Sequence, residues 1–423
     1  MFKKIVSLVL AVVLCLGVTL ALASCGGNET EKDPDVAPLE AVALGEKFDI
    51  PADFKVGFIT LHDENSTYDL NFINAAKKIQ AHLNLSDSQV LFEKNIAEEG
   101  TACYDAAKRL VNNGCSVIFA DSFGHEANMI KAAKEFPNVT FCHATGTKAL
   151  VEEELSNYHN AFASIYEGRY LAGVAAGMKL NEMIDSGKIK AEEAVIGYVG
   201  AFPYAEVVSG YTSFFLGARS ICPSATMKVR YTSSWYNETS EKVAAETLMN
   251  VDKCVLISQH ADSMGAPNAC EVKGVPNVSY NGSTVASCPD TFIISSAIDW
   301  SPYYYHMIDC VVNNKTLEKN WCGDISTGSV VLSVINGQVA APGTVKKIQE
   351  VAAKLKDGTL HVFDIETFTV EGKKVTSYLA DVIDLGDYKG ETEVIKNGYF
   401  NESTERSAPY FDLRIDGITE RNK

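Results

Sequence analysis

The sequence has few basic residues for its size: its 423 residues include 37 Lys and Arg against 54 Asp and Glu, a formal charge of −17. Proteins that bind nucleic acid neutralise its phosphates with a basic surface, so this acidic excess argues against a nucleic-acid partner. The composition is otherwise that of a globular protein, with 46% hydrophobic and 22% charged residues. A fibrous or wholly disordered chain is therefore excluded, and the length predicts two domains.

The sequence motifs of metal and nucleotide chemistry are also missing. The eleven cysteines include no CxxC pair, and no HExxH or Cys/His cluster has zinc-like spacing. No Walker loop, GxGxxG turn or GxSxG elbow follows a strand. His62 with Asp63, and His260 with Asp262, could form acid–base pairs, but we interpret these histidines as polar lining or surface residues. We therefore expect no cofactor, no metal site and no catalytic residues.

The N-terminal segment differs from the rest of the chain. A basic start is followed by an uncharged apolar run at 5–23 and then by small residues, which predicts a secretory signal over 1–24. The sequence Leu-Ala-Ser-Cys25 resembles the bacterial lipobox, so Cys25 would be lipidated and would anchor the protein on the extracytoplasmic face of the cell membrane. An uncleaved membrane anchor is the alternative. The polar segment 25–50 is predicted to be a flexible tether.

Beyond residue 50, apolar β-branched runs alternate with amphipathic stretches, which predicts βαβ units and parallel sheets. The pattern occurs twice. VGFIT at 56–60 corresponds to IGYVG at 196–200, VIFAD to VLISQ, and the first Pro-Asn-Val to the second, at offsets of 140, 138 and 139 residues. We therefore predict an α/β protein with two similar, doubly wound parallel-sheet lobes that face each other around a ligand cleft.

The domain boundaries follow from this duplication. Segment 291–314 has the pattern strand, turn, helix, and we predict that it returns to the first lobe. The tail is too apolar to be a linker, and Arg406, Tyr410 and Asp412 are the tail residues that could reach the cleft. The predicted boundaries are a first lobe at 54–165 plus 291–314, a second lobe at 166–290 plus 315–365, and a C-terminal extension at 366–423 packed on the second lobe.

Residues that follow the predicted strands are the candidate ligand contacts, because ligands of open α/β sheets bind beyond the carboxyl ends of the strands. Aromatic rings recur there and would sandwich a flat ring, while Asp and Asn would accept hydrogen bonds from its N–H groups. Arg and Lys are missing from these positions, which disfavours an anionic ligand. The predicted ligand-binding residues are Tyr68, Asp69, Phe123, Phe202, Trp235, Asp262, Asn281, Asp299 and Trp300.

Several segments together resemble the BMP family of substrate-binding lipoproteins of ABC transporters. They are STYDLNFINAAKK, RLVNNGCSVIFADSFGH, YEGRYLAGVAAGMKL and IGYVGAF with VVSGYTSFFLGAR. The resemblance implies a periplasmic-binding-protein fold, a monomer that closes on a purine nucleoside, and a permease and an ATPase as partners. It also implies that Tyr68 and Trp235 stack on the purine and that Asp69 replaces an amide of the family pattern.

The ligand is left open between a purine nucleobase and a purine nucleoside. In nucleoside-binding members the resemblance places an Asp and a Lys on the ribose, where this chain has Asn281 and Asp299. Two other functions remain as alternatives: an enzyme that acts on nucleosides on the same scaffold, and a surface lipoprotein that senses a ligand without transporting it.

Overall fold

The computed structural model describes residues 32–152, 154–383 and 389–421. The predicted signal peptide and Cys25 lie outside these residues. Within them, no helix combines the length and the apolar character that crossing a bilayer requires.

Strands and helices alternate along most of the described chain. In chain order the strands are β1 (Val56–Ile59), β2 (Val90–Glu93), β3 (Val117–Ala120), β4 (Thr140–Ala144), β5 (Tyr158–Ala163), β6 (Val195–Gly200), β7 (Thr226–Tyr231), β8 (Leu256–His260), β9 (Asn277–Tyr280), β10 (Phe292–Ile298), β11 (Asn320–Gly323), β12 (Val330–Leu332), β13 (Leu379–Ala380), β14 (Thr392–Glu393), β15 (Ile395–Lys396), β16 (Tyr399–Phe400) and β17 (Ile418–Glu420). The α-helices are α1 (Thr67–His82), α2 (Ala102–Asn112), α3 (Glu126–Glu135), α4 (Ile165–Asp185), α5 (Ala205–Ile221), α6 (Glu238–Asn250), α7 (Gly265–Lys273), α8 (Ser301–Val312) and α9 (Thr344–Lys356).

Two sheets organise the protein, and each defines a lobe. Lobe 1 has the strand order β11-β5-β4-β3-β1-β2, and lobe 2 has the order β12-β10-β9-β8-β6-β7-β17. All strand pairs in the first sheet are parallel, and in the second only β12 runs antiparallel to its neighbour. The strands β1 to β5 and β6 to β10 therefore repeat one order, which confirms the predicted duplicated α/β fold.

The predicted boundaries of the lobes require correction. Segment 291–314 was assigned to lobe 1, but its strand β10 pairs with β9 of lobe 2, with Asn277 opposite Phe292. Only its helix α8 lies in lobe 1, where it packs on α1. Conversely, β11 pairs with β5 of lobe 1 although 315–365 was assigned to lobe 2. An apolar strand buried on both faces fits either sheet, so its pattern does not specify which one it joins.

Residues 32–50 are not the free tether that their polar composition predicts. The Asp33 carboxylate accepts the Val345 N–H at 3.1 Å in the first turn of α9, where helix amides lack backbone partners. The Asp35 carboxylate accepts the Gly337 N–H at 2.8 Å, and Tyr305 Oη donates to the carbonyl of Glu46 at 2.8 Å. The acidic side chains of this segment thus fasten it to the folded body.

The helices α4 and α5 pack with their backbones in close approach at two glycines. A Cβ atom on Gly173 would lie 2.0 Å from the Phe214 carbonyl oxygen, and one on Gly217 would lie 2.0 Å from the Tyr170 carbonyl oxygen. Both distances are far below van der Waals contact, so each helix presents glycine where the backbone of the other passes. The small residues of YEGRYLAGVAAGMKL are therefore explained by packing.

We expect Gly217→Ala to lower the free energy of unfolding by about 1–3 kcal/mol, because the new methyl group overpacks the α4–α5 contact. In a helix without this contact the same change would stabilise by up to about 1 kcal/mol, so the sign of the effect is diagnostic. Urea denaturation of both proteins measures it. Equal or higher stability of the variant would show that the two helices can separate without cost.

Candidate ligand-binding site

A cavity lies between the lobes, at the carboxyl ends of the strands. Each lobe supplies half of its lining. The residues from lobe 1 are Leu61, Tyr68, Ser122, Phe123 and Thr145, and those from lobe 2 are Glu206, Trp235, His260, Asp262 and Tyr280.

In lobe 1, Tyr68 presents its ring to the cavity from the first turn of α1. Its hydroxyl donates to the Asp121 carbonyl at 2.9 Å, and its ring packs edge-on against Phe72 at 4.8 Å between centroids. The Asp121 carboxylate accepts the Leu61 N–H at 3.1 Å, which ties the loop after β1 to the end of β3. The Tyr68 ring is therefore held in place before any ligand arrives.

In lobe 2, Trp235 lines the cavity from the loop after β7. Phe202 packs edge-on against it at 5.0 Å and stacks on Tyr204 at 5.0 Å and 11°. Tyr204 in turn lies 5.7 Å from Phe123 of lobe 1. Phe202 thus supports Trp235 from behind, and Phe123 and Tyr204 meet across the cleft.

Asp262 connects the two lobes. The Thr67 N–H and hydroxyl of lobe 1 both donate to the Asp262 carbonyl at 3.1 Å. The Asn281 amide donates to the Asp262 carboxylate at 3.4 Å and accepts from the Asn71 amide of α1 at 3.4 Å. Asn281 does not line the cavity; it orients Asp262. These bonds across the cleft describe a closed arrangement of the lobes.

Behind the lobe 2 side of the cavity lies the buried Arg169 of α4. Its guanidinium donates to the Tyr198 hydroxyl at 2.9 Å and to the Ser258 hydroxyl at 3.0 Å, and it faces the Tyr280 ring at 4.9 Å. Among the described residues, the buried Tyr280 hydroxyl finds no hydrogen-bond partner, which costs free energy unless a ligand supplies one. Tyr280 is therefore a candidate polar contact as well as an aromatic wall.

The Asp262 carboxyl of the cavity is buried close to other carboxylates. Burial raises the pKa of Asp262 well above its ordinary value, and the negative charges of Asp69, Glu241 and Glu206 raise it further. His260 lies 3.5 Å from the Glu206 carboxylate, but burial lowers its pKa, so the imidazole is held neutral. Over 32–152, 154–383 and 389–421, no group of three His, Cys, Asp or Glu side chains is arranged to hold a metal ion.

Besides Phe202 and Asn281, three further predicted site residues lie outside the cavity lining. Trp300 is buried in the lobe 1 core, 1% exposed and stacked on Phe72 at 4.5 Å, because α8 turns back towards α1. Asp69 is buried at the start of α1, where it accepts from Ser66 Oγ at 2.5 Å. Asp299 accepts from Lys78 Nζ of lobe 1 at 2.6 Å. Outside the cavity, Asp69 thus stabilises the start of α1, and Asp299 forms a contact between the lobes.

Of the remaining predictions, the structure brings Tyr68, Phe123, Trp235 and Asp262 together around one cavity. The predicted ligand contacts omit Glu206, Tyr280, Thr145, Ser122 and Leu61, and they omit His260, which was interpreted only as a polar lining or surface residue. Each of these follows a strand or is its last residue, so the position relative to the strand was the available signal. What the sequence does not reveal is which side chains at a strand end turn into the cleft.

A family model described as an ABC transporter substrate-binding protein, PnrA-like, matches residues 62–365. A purine-binding protein of Brucella abortus is 31% identical over 333 residues, which are 78% of this chain and 88% of that protein. A putative ABC transporter glucose-binding protein of Haloferax volcanii is 33% identical over 216 residues, about half of each chain.

Solved structures of solute-binding proteins share the fold. One from Conexibacter woesei superposes with a TM-score of 0.59 at 18% identity, covering 73% of this chain and 98% of its own. One from Aeropyrum pernix superposes with a TM-score of 0.56 at 16% identity, covering 73% and 87%. At these identities the likeness establishes the fold alone.

We expect Asp262→Asn to stabilise the protein increasingly as the pH rises. Between the ordinary carboxyl pKa of 3.8 and the raised native value, the unfolded chain releases a proton that the native state keeps. The free energy of unfolding therefore falls with pH in this window, by about 1.4 kcal/mol per pH unit for one proton. Asparagine removes this loss.

Melting temperatures of both proteins between about pH 4 and pH 8 measure the effect. The exposed Asp290→Asn serves as the charge-matched control. A stability difference for Asp262→Asn that does not vary with pH would show that Asp262 ionises as easily in the native state as in the unfolded chain.

Proposed function

The chain belongs to the Bmp family of PnrA-like substrate-binding proteins of ABC transporters, and we propose that it captures a purine nucleobase or nucleoside for delivery to its permease. The family is one of substrate-binding proteins rather than enzymes, and its role implies a small-molecule ligand and a transporter permease as partner. The purine-binding relative from Brucella abortus, similar over most of both chains, supports the purine assignment.

The observation that carries the proposal is the lining of the closed cavity. Tyr68 and Phe123 of lobe 1 face Trp235 and Tyr280 of lobe 2, so a flat ring would have aromatic contacts from both lobes. The Asp262 carboxyl offers an acceptor for ring N–H groups. In the part of the chain that the structure describes, no lysine or arginine lines this cavity, which agrees with a neutral rather than an anionic ligand.

Capture follows from the two-lobe construction. A ligand shifts the equilibrium between open and closed forms only by the contacts that it gains on closure. A purine that touches Tyr68 in lobe 1 and Trp235 with Asp262 in lobe 2 makes those contacts in the closed form only. The closed form is then the one that presents both lobes to the permease.

We also propose that the mature protein is a lipoprotein on the extracytoplasmic face of the cell membrane. The support is the sequence Leu-Ala-Ser-Cys25 after an apolar run. An acyl anchor would leave the two lobes free in the aqueous phase, as an extracytoplasmic receptor requires.

Titration of the mature chain with adenine, guanine, hypoxanthine, xanthine and their nucleosides tests the function. We expect at least one of them to change the tryptophan fluorescence and to raise the melting temperature, because a ligand that binds only the native state stabilises it. Glucose is the contrasting ligand, since one relative carries that name. A response to glucose with none to any purine compound would overturn the assignment.

Trp235→Ala tests whether the purine compounds bind in the cavity between the lobes. Loss of one stacking ring should weaken purine binding by about tenfold or somewhat less, with little effect on melting, because Trp235 is only partly buried. Trp321→Phe removes a tryptophan that packs on Tyr303 in lobe 1, away from the cavity, and should leave the affinity unchanged. Equal affinities in all three proteins would remove Trp235 from the site.

Cys25→Ser tests the anchor. Without the thiol no acyl chain can be attached, so the variant should move from the detergent phase to the aqueous phase after extraction of cells. Metabolic labelling with a fatty acid should mark only the unmodified sequence. A variant that stays with the membrane would favour the uncleaved apolar run as the anchor.

A further inference from the structure

We propose that the C-terminal extension, residues 366–383 and 389–421 of the described chain, forms an outer compartment of the ligand site and selects a purine nucleoside over the free base. The extension lies beyond residue 365, where the family match ends. This inference rests on the proposed function and assigns it a ligand with a hydrophilic substituent on the ring.

A second, wider cavity of about 360 Å³ adjoins the cavity between the lobes. The two cavities share four lining residues, Phe123, Thr145, Glu206 and Trp235, so they are neighbouring compartments of one site. Four of the ten residues that line the inner compartment are Phe, Tyr or Trp. The outer one adds Thr147 from lobe 1, Tyr204 and Ala205 from lobe 2, and Asp381, Arg406, Ala408 and Pro409 from the extension.

The extension is attached to lobe 2 as an edge strand. Its β17 pairs in parallel with β7, and the Arg219 guanidinium of α5 donates to the carbonyls of Asp416 at 3.1 Å and Thr367 at 2.6 Å. Arg414 reaches the Pro203 carbonyl at 3.4 Å, in the loop that leads to Tyr204. The extension is therefore fixed beside the loops that carry the lobe 2 half of the site.

The extension also contacts lobe 1. The Ser407 N–H and hydroxyl donate to the Asn320 side-chain oxygen of β11 at 3.2 and 3.0 Å. Ser407 lies between Arg406 and Ala408, which both line the outer compartment. The segment that faces the ligand is thus held from both lobes, as expected of a structural wall of the site.

The chemistry of the outer compartment differs from that of the inner one. Arg406 is only 8% exposed and donates to the carbonyls of Val382 at 3.0 Å and Ala408 at 3.2 Å. Arg406 also donates to the Pro409 carbonyl at 3.3 Å. With Asp381, Glu206 and the Thr147 hydroxyl, which donates to the Glu126 carboxylate at 3.3 Å, the compartment is lined by polar groups of both charge signs. Such a surface suits a neutral group rich in hydroxyls, as the sugar of a nucleoside is.

Ala408→Phe and Arg406→Gln test the inference in the full mature chain. Ala408→Phe places a large side chain in the outer compartment, and Arg406→Gln removes the positive charge of the compartment. We expect both to weaken nucleoside binding by about tenfold or more while the affinity for the matching free base changes by less than about threefold. Isothermal titration with a base and its own nucleoside measures the ratio.

Two variants of the extension serve as controls. Leu379→Phe adds bulk at an exposed position, and Arg421→Gln removes an arginine that pairs with Asp252 at 3.2 Å outside the cavity. Both should keep the native ratio of base to nucleoside affinity. Melting temperatures show whether each variant is folded. If Ala408→Phe does not fold, the affinity ratio of Arg406→Gln alone tests the role of the extension.

The outcomes separate this inference from the proposed function. The native chain could bind a purine compound while Ala408→Phe and Arg406→Gln keep the native ratio of base to nucleoside affinity. That result would overturn the role of the extension and would leave the proposed function unaffected. An equal loss of base and nucleoside in folded variants would also overturn it, because the extension would then act on the whole site. A native chain that binds no purine compound would overturn both.

Discussion

The site depends on one constraint of parallel sheets, that neighbouring strands end at the same edge. In lobe 1 this brings the residues after β1, β3 and β4 to one surface, and in lobe 2 those at the ends of β7, β8 and β9. The duplication places the two surfaces opposite each other. Contacts such as the Thr67 N–H on the Asp262 carbonyl then join the lobes through backbone groups, which do not depend on the side chains that face the ligand.

Closure of the lobes without a ligand leaves polar groups in an unfavourable state. Asp262 is buried near other carboxylates, and among the described residues the Tyr280 hydroxyl has no hydrogen-bond partner. A ligand with N–H donors and acceptors can form hydrogen bonds to both groups. Such a ligand relieves the cost that the empty closed form carries, whereas a ligand without these groups does not, so the cost contributes to selectivity. The buried Arg169 guanidinium faces the Tyr280 ring from outside the cavity lining, and the neutral His260 adds no positive charge to the cavity.

Periodicity and strand ends were enough to predict the duplicated sheets and to bring Tyr68, Phe123, Trp235 and Asp262 to the cleft. They failed at β10, whose apolar residues suit either buried sheet, and at Trp300, which follows that strand but turns with α8 into the core of lobe 1. The prediction of a flexible tether is also wrong for residues 32–50, because an Asp that caps a helix and an Asp in a free tether look alike in sequence. Each failure concerns a tertiary choice among locally equivalent possibilities.

The extension joins lobe 2 at the edge of its sheet, where β17 is the last strand after β7. The backbone of β7 pairs with β17 along this edge, and lobe 2 side chains such as Arg219 and Asp252 contact the extension as well. Since β17 belongs to lobe 2 and Asn320 to lobe 1, separation of the lobes must stretch the intervening chain or break the Ser407–Asn320 bonds. The outer wall is therefore complete only when the lobes are closed. Contacts between this wall and a ligand then stabilise the closed form, as the contacts of Tyr68 and Trp235 do.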